Sequence, residues 1–259
     1  MIPSAKLYAM IHEILPVGLL ACNCSVIGDE TTRQAIVVDP GDDIAAIVDI
    51  LARHALKVKM IVITHAHIDH IGGAKKLRDL TGAPVYMHED DSVLAQNLDI
   101  QASWLGMQTP QNPGIDTAAR EGDVLRAGAI EAHVLHTPGH TPGTISGIFQ
   151  VLDQGKPLTV VYSGGTEFNF PNDVAHFDQY LASVRRLASL AVAAGATIII
   201  NNQSQFNGAA DKLRSLADRQ VGERHPLNVG TEAVARYFKI EDECAQAQRL
   251  KVIAGQSDH

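Results

Sequence analysis

Residues 64–73 read THAHIDHIGG and follow directly on the apolar run VKMIVI at 58–63. That run is short, β-branched and bounded by polar residues, the pattern of a buried strand. Four donors, His65, His67, Asp69 and His70, then fall within six positions at its C-terminal end. They cannot share one helical face, because residues two apart on a helix point away from each other, so they converge only where the chain turns through a loop. Imidazole and carboxylate are the ligands that suit zinc when no thiolate is present, and the C-terminal ends of strands in layered α/β sheets are where ligands bind. A lone His-x-His would read as a polar loop with satisfied histidines. Four donors behind a rigid strand favour a metal.

A second signal lies at 136–143, HTPGHTPG, which places His140 between two Pro-Gly turns and fixes one imidazole outside any helix or strand. His136 reads as the end of the preceding strand. Around these two loops the chain alternates. Segments 17–28 and 34–39 form a strand pair around the polar turn GDETTRQ and end in VVDPGD. DDIAAIVDILARHAL carries apolar residues at 44, 47, 48, 51 and 52, which is helical spacing. A short helix at GGAKKLRDLTG, a strand at APVYMH, a helix at 89–97, a Pro-rich loop around MQTPQNPG and strands at 123–126 and 129–136 follow. GTISGIFQVLD, QGKP and LTVVYSGG read as a hairpin, and helices at 176–194, 209–219, 229–238 and 241–253 surround a strand at ATIIINN. This order predicts helices outside two packed sheets, in one domain over 1–259.

Composition narrows the classes of function. Net charge is −8 and no run of lysine or arginine could track a phosphate backbone, so nucleic acid is not an expected partner. The longest apolar stretch, LASLAVAAGATIII, is broken by Gly195 and reads as a helix end followed by a strand, so no membrane span is expected. LLAC near the start resembles a lipid-attachment box, but His12, Glu13 and Pro16 interrupt the segment before it, and an ordinary first strand is expected there. Three cysteines, Cys22, Cys24 and Cys244, make no even disulfide framework, which fits a reducing cytoplasm. Disorder is expected only at the ends, as in the tail AGQSDH.

His-x-His-x-Asp-His followed by a distant His resembles the metallo-β-lactamase superfamily. The resemblance implies an α/β fold, the four-layer αββα sandwich. It implies that His65, His67 and His140 hold a first zinc while Asp69 and His70 serve a second. Asp39 in VVDPG matches the family's first motif and would buttress a ligand from behind. Up to the HTPGHTPG loop, LPVGLLACNCSVIGDE, THAHIDHIGGAKKL and LHTPGHTPGT resemble the glyoxalase II type of thioester hydrolase. From about residue 158, YSGGTEFNF, NNQSQFNGAADKL and HPLNVG are more similar to relatives of the third metallo-β-lactamase subclass, with a seam near 145–157.

Two positions depart from the pattern. Glyoxalase II types carry Ser-Gly-Asp, with a metal-bridging Asp, where this chain has Ser163, Gly164 and Gly165. Relatives of the C-terminal part carry a histidine ligand where this chain has Gln203, and an amide oxygen is a weaker zinc ligand than imidazole. One tight zinc and a second site that is weak or empty are therefore expected, with Gln203 a weak ligand at most. Three-histidine zinc brings its water to a pKa of about 7, supplying hydroxide for attack on an acyl carbon with Asp69 orienting it. The expected function is a zinc-dependent hydrolase of a small-molecule thioester of the hydroxyacylglutathione type. A β-lactam or a lactone is the alternative substrate, and a metal-binding protein with little turnover is the reading from another class.

Overall fold

The computed structural model describes residues 10–216 and 218–256. One sheet runs in the order β1 (Met10–Val17), β2 (Cys22–Asp29), β3 (Gln34–Val38), β4 (Lys57–Val62), β5 (Val85–Met87) and β6 (Thr117–Ala118). Its first three strands are antiparallel neighbours, and β3 through β6 are parallel. The other sheet is built from β7 (Val124–Ala127), β8 (Ile130–His136), β9 (Ile145–Asp153), β10 (Lys156–Ser163) and β11 (Ile198–Asn201), with only β10 and β11 parallel.

Alternation along these strands sets the layers, because successive side chains point to opposite faces. Ile61 and Ile63 enter one apolar cluster with Ile47, Leu51, Ile71 and Leu77, while Met60 and Val62 enter another with Phe149, Tyr162 and Ile198. In the second sheet Val160, Tyr162, Ile198 and Ile200 face that inner cluster. Val161 and Ile199 face a third, with Phe177, Tyr180 and Phe238. The outer face of the first sheet is covered by α1 (Ile44–Arg53), α2 (Ile68–Ile71), α3 (Ala74–Thr81), α4 (Ser92–Gln96) and α5 (Leu98–Leu105), each contributing to the first cluster. The outer face of the second is covered by α6 (Val174–Ala193) and the long α9 (Thr231–Gln256). Between β11 and α9 lie α7 (Ser204–Asn207) and α8 (Ala209–Arg214). Helix, sheet, sheet, helix is the expected sandwich of the metallo-β-lactamase fold. Among the described residues no helix is long and apolar enough to cross a membrane.

The element boundaries differ from expectation where an apolar run hides a turn. Residues 17–28 do not form one strand: β1 ends at Val17, and the chain reverses through Gly18 (φ +66°) and Ala21 (φ +52°) into β2. The expected helices at 229–238 and 241–253 are a single helix, since Glu241 and Asp242 are compatible with helix and nothing between the two breaks it. The helix expected at 209–219 stops at Arg214. Helix α5 was not expected, because LDIQASWL has little apolar periodicity. Of the expected disordered tail, residues 254–256 belong to α9 and residues 257–259 lie outside the described residues, as do residues 1–9. The seam at 145–157 falls on the β9–β10 hairpin, which pairs without interruption from Lys156 opposite Asp153 to Tyr162 opposite Gly147.

Candidate metal centre

Parallel strands β3 and β4 end side by side, and Asp39 ties their ends together. Its Oδ1 accepts the Thr64 backbone N–H at 2.7 Å and its Oδ2 accepts the Thr64 hydroxyl at 2.6 Å, with the residue fully buried at φ +51°. Asp39 Oδ2 also lies 2.9 Å from His70 Nδ1. The loop that follows approaches the histidine loop backbone to backbone: a Cβ on Gly41 would fall 1.6 Å from the Asp69 carbonyl oxygen. Only glycine leaves room for that approach.

Three imidazoles meet across the seam between the sheets. His65 and His67 come from the loop after β4, with His67 as N-cap residue of α2, and His140 comes from the loop between β8 and β9. His140 Nε2 lies 3.1 Å from His65 Nε2 and 3.1 Å from His67 Nδ1. The three rings are mutually near-perpendicular, at 87–90°. Ligand nitrogens around a tetrahedral metal at about 2.0–2.1 Å are separated by about 3.3 Å, so these three suit such a site. The outer nitrogens of His140 and His65 are held as ligand tautomers require. His140 Nδ1 donates to the Glu167 carbonyl at 2.8 Å, which leaves Nε2 as a bare lone pair, and His65 hydrogen-bonds the Gly164 carbonyl.

Burial keeps these rings neutral. It is the largest influence on each of the three, lowering His65 well below the usual imidazole range, His67 to about 4 and His140 to about 3. His70 behaves oppositely. Burial opposes its charge, but Asp69, Cys22 and Asp39 outweigh it and raise its pKa well above normal.

The remaining expected donors form a second group beside the first. His70 Nε2 lies 3.2 Å from Asp69 Oδ2, and the same oxygen accepts the Gln203 amide Nε2–H at 2.9 Å. Burial would raise the Asp69 carboxyl, but the His70 charge and the hydrogen bonds from His70 and Gln203 pull it below the ordinary carboxylate range. Gln203 thus reaches the position where a histidine ligand was expected, and it offers a hydrogen-bond donor to Asp69. The missing bridging aspartate has a steric counterpart. A Cβ on Gly165 would lie 2.5–2.9 Å from the His140 side chain, so no longer residue fits there while His140 keeps its place.

Two other clusters of donors do not make comparable sites. Cys22 Sγ lies 3.1 Å from His70 Nδ1, but burial pushes its thiol up to about 12 and Asp39 is committed to Thr64. The His88 and His136 rings stack at 3.9 Å and 8°, so their lone pairs lie in separate, nearly parallel planes and do not meet at one point. Sequence reasoning missed Gln101 and Asp91. Gln101 accepts the Ile68 N–H and donates to the Ala66 carbonyl, fixing the histidine loop from α5. Nothing in LDIQASWL distinguishes that glutamine from a surface one.

Comparison with known proteins identifies the family. Residues 17–194 match the family described as the metallo-beta-lactamase superfamily. An uncharacterized protein of Aquifex aeolicus is 44% identical over 137 residues, which is 52% of this chain and 63% of that protein, less than two thirds of its length. The hydroxyacylglutathione hydrolase GloC of Haemophilus influenzae is 30% identical over 181 residues, covering 67% of this chain and 82% of that one. Among solved structures, BJP-1, a subclass B3 metallo-β-lactamase of Bradyrhizobium japonicum, matches with a TM-score of 0.70 at 22% identity and covers 97% of each chain. Native FEZ-1 metallo-β-lactamase of Legionella gormanii matches with a TM-score of 0.75 at 18% identity over 96% of this chain and 98% of that one. At such identities the structural matches speak to the fold. The chain belongs to the metallo-β-lactamase superfamily.

Neutral buried imidazoles make the metal-free protein acid-sensitive. An unfolded histidine takes up its proton near pH 6.5, while the folded His67 and His140 do so only near 4 and 3, so these two rings cost nothing above pH 6.5 and destabilise the fold below it. Each of the two should cost about 2 kcal/mol between pH 6.5 and 5. His70, with its raised pKa, loses its own contribution only as pH rises above 6.5 and leaves the acid window unchanged. Urea denaturation of chelator-treated protein should show the midpoint falling steadily from pH 6.5 to 5. A flat profile would mean that these rings are solvated.

Proposed function

We propose that the chain is a hydrolase that holds one zinc tightly through His65, His67 and His140 and cleaves a small-molecule thioester of the hydroxyacylglutathione type. The observation that carries this reading is the convergence of three imidazoles, with the His140 nitrogen 3.1 Å from one nitrogen of His65 and one of His67 and its tautomer set by the Glu167 carbonyl. Bound there, zinc supplies a Lewis acid and brings water to a pKa near 7. Asp69 is the catalytic carboxylate beside it. Its depressed pKa keeps it ionised at neutral pH, so it accepts a proton or hydrogen bond and does not donate one. Its Oδ2 is occupied by His70 and Gln203, and among the described residues Oδ1 takes no hydrogen bond, which leaves that atom to orient the attacking water.

The thioester assignment rests on the similarity to GloC, the more identical of the named hydrolases. A β-lactam is the competing substrate, because the likeness to subclass B3 enzymes covers nearly the whole chain, including α6 to α9. A cytoplasmic setting goes with the thioester reading, and all three cysteines are unpaired. Zinc-loaded protein should hydrolyse lactoylglutathione with at least about tenfold higher kcat/KM than a chromogenic cephalosporin. Asp69→Ala should lower kcat by about 10²–10⁴-fold. The reverse ranking would assign the β-lactam class. No turnover of either by fully loaded protein would leave a metal-binding protein.

The second metal position is weak or empty in this reading, because Gln203 supplies an amide where imidazole is the better ligand. Gln203→His should complete a set with Asp69 and His70 and raise second-site zinc affinity about tenfold or more, read by competition with a chelating dye. Unchanged affinity would show that the side chain at 203 is wrongly aimed.

A further inference from the structure

We propose that Asp91 is a positioning residue that fixes the separation of the two histidine-bearing loops and thereby the affinity of the three-histidine centre. The proposal rests on the reading of that centre as a metal site. Asp91 closes a short 3-10 turn, Glu89–Asp91, and stands at the N-cap position of α4, where an aspartate side chain commonly caps the helix. Its side chain makes no cap hydrogen bond. The carboxylate is fully buried and reaches both loops instead.

Each loop contributes donors. Asp91 Oδ2 accepts the Ala66 backbone N–H at 2.8 Å and the Thr141 hydroxyl at 2.8 Å, and Oδ1 accepts the Gly143 backbone N–H at 2.6 Å. Ala66 lies between His65 and His67, and Thr141 adjoins His140. One planar group of fixed size therefore stands between the backbone segments that carry all three imidazoles. Gly143 gives it room, since a Cβ there would come within 2.7 Å of Asp91 Cγ. Metal sites tolerate deviations of only about 0.2 Å in ligand distance, so a few tenths of an ångström between the loops suffices to weaken the centre.

The chemistry of the three contacts makes a specific demand. All three partners are donors, and both carboxylate oxygens accept. An asparagine of the same shape has one accepting oxygen and an NH2 group, which must then face either the Gly143 N–H or the Ala66 and Thr141 donors. A donor set against a donor pushes one loop away. Thr141→Val is the milder change, removing one contact of the three at nearly constant volume and leaving both backbone donors in place.

The test compares wild type, Asp91→Asn and Thr141→Val in the full chain. Zinc affinity is measured by chelating-dye competition, thermal midpoints on metal-free protein, and the visible spectrum after cobalt loading. Asp91→Asn should lose tenfold or more in tight-site zinc affinity and shift the cobalt bands, with Thr141→Val changing both in the same direction by less. Lowered thermal midpoints with wild-type zinc affinity and an unchanged cobalt spectrum would make Asp91 merely structural and overturn the inference. If Asp91→Asn does not fold, Thr141→Val decides by the same two readouts. Absence of tight zinc in the wild type would instead overturn the metal-site reading, and this inference with it.

Discussion

Imidazole nitrogens from two sheets have to be held 3.1 Å apart with their lone pairs bare, and the rest of the molecule is arranged around that demand. Isolated side chains would not stay so close: protonated rings would repel, and neutral ones would turn their nitrogens to water. Burial removes the first outcome and fixed partners remove the second. Because His140 gives its Nδ1 proton to the Glu167 carbonyl, the opposite nitrogen can face His65 and His67 only as an acceptor. That is the condition of a metal ligand before any metal arrives, and it lessens the reorganisation that binding would otherwise require.

The positions of the loops follow from the layers. Alternate residues of β4, β10 and β11 enter different apolar clusters, which clamps the two sheets face to face and brings the ends of β4 and β8 to one edge. Buried aspartates then join backbone segments that the sheets only bring near. Asp39 links the ends of β3 and β4 through Thr64, and Asp91 links the loop after β4 to the loop after β8. Each carboxylate accepts from several donors, which is what makes its burial tolerable.

Legibility in the sequence tracked how local the physical cause is. The four donors of THAHIDHIGG and the strand before them could be read because spacing and apolar character sit in one short segment. His140 could be read because two Pro-Gly turns isolate it. The β1–β2 turn could not, since LPVGLLAC is apolar throughout and only Gly18 marks the reversal. Asp91 was invisible for a different reason. It fell within the expected helix at 89–97 as one of three consecutive acidic residues, Glu89, Asp90 and Asp91, and its actual partners lie 25, 50 and 52 residues away along the chain. Gly165 was noticed as a missing ligand, whereas the contact that explains it, with the His140 ring, exists only in three dimensions.

One preformed three-imidazole site beside an incomplete second one has a distinct metal content and coordination shell. X-ray absorption at the zinc edge, on protein dialysed exhaustively and analysed for metal content, tests it most directly. Close to one zinc per chain is expected, with a shell of three imidazole nitrogens at about 2.0–2.1 Å and a lighter oxygen donor. Two tightly retained zincs, or a shell with fewer than three imidazoles, would contradict it.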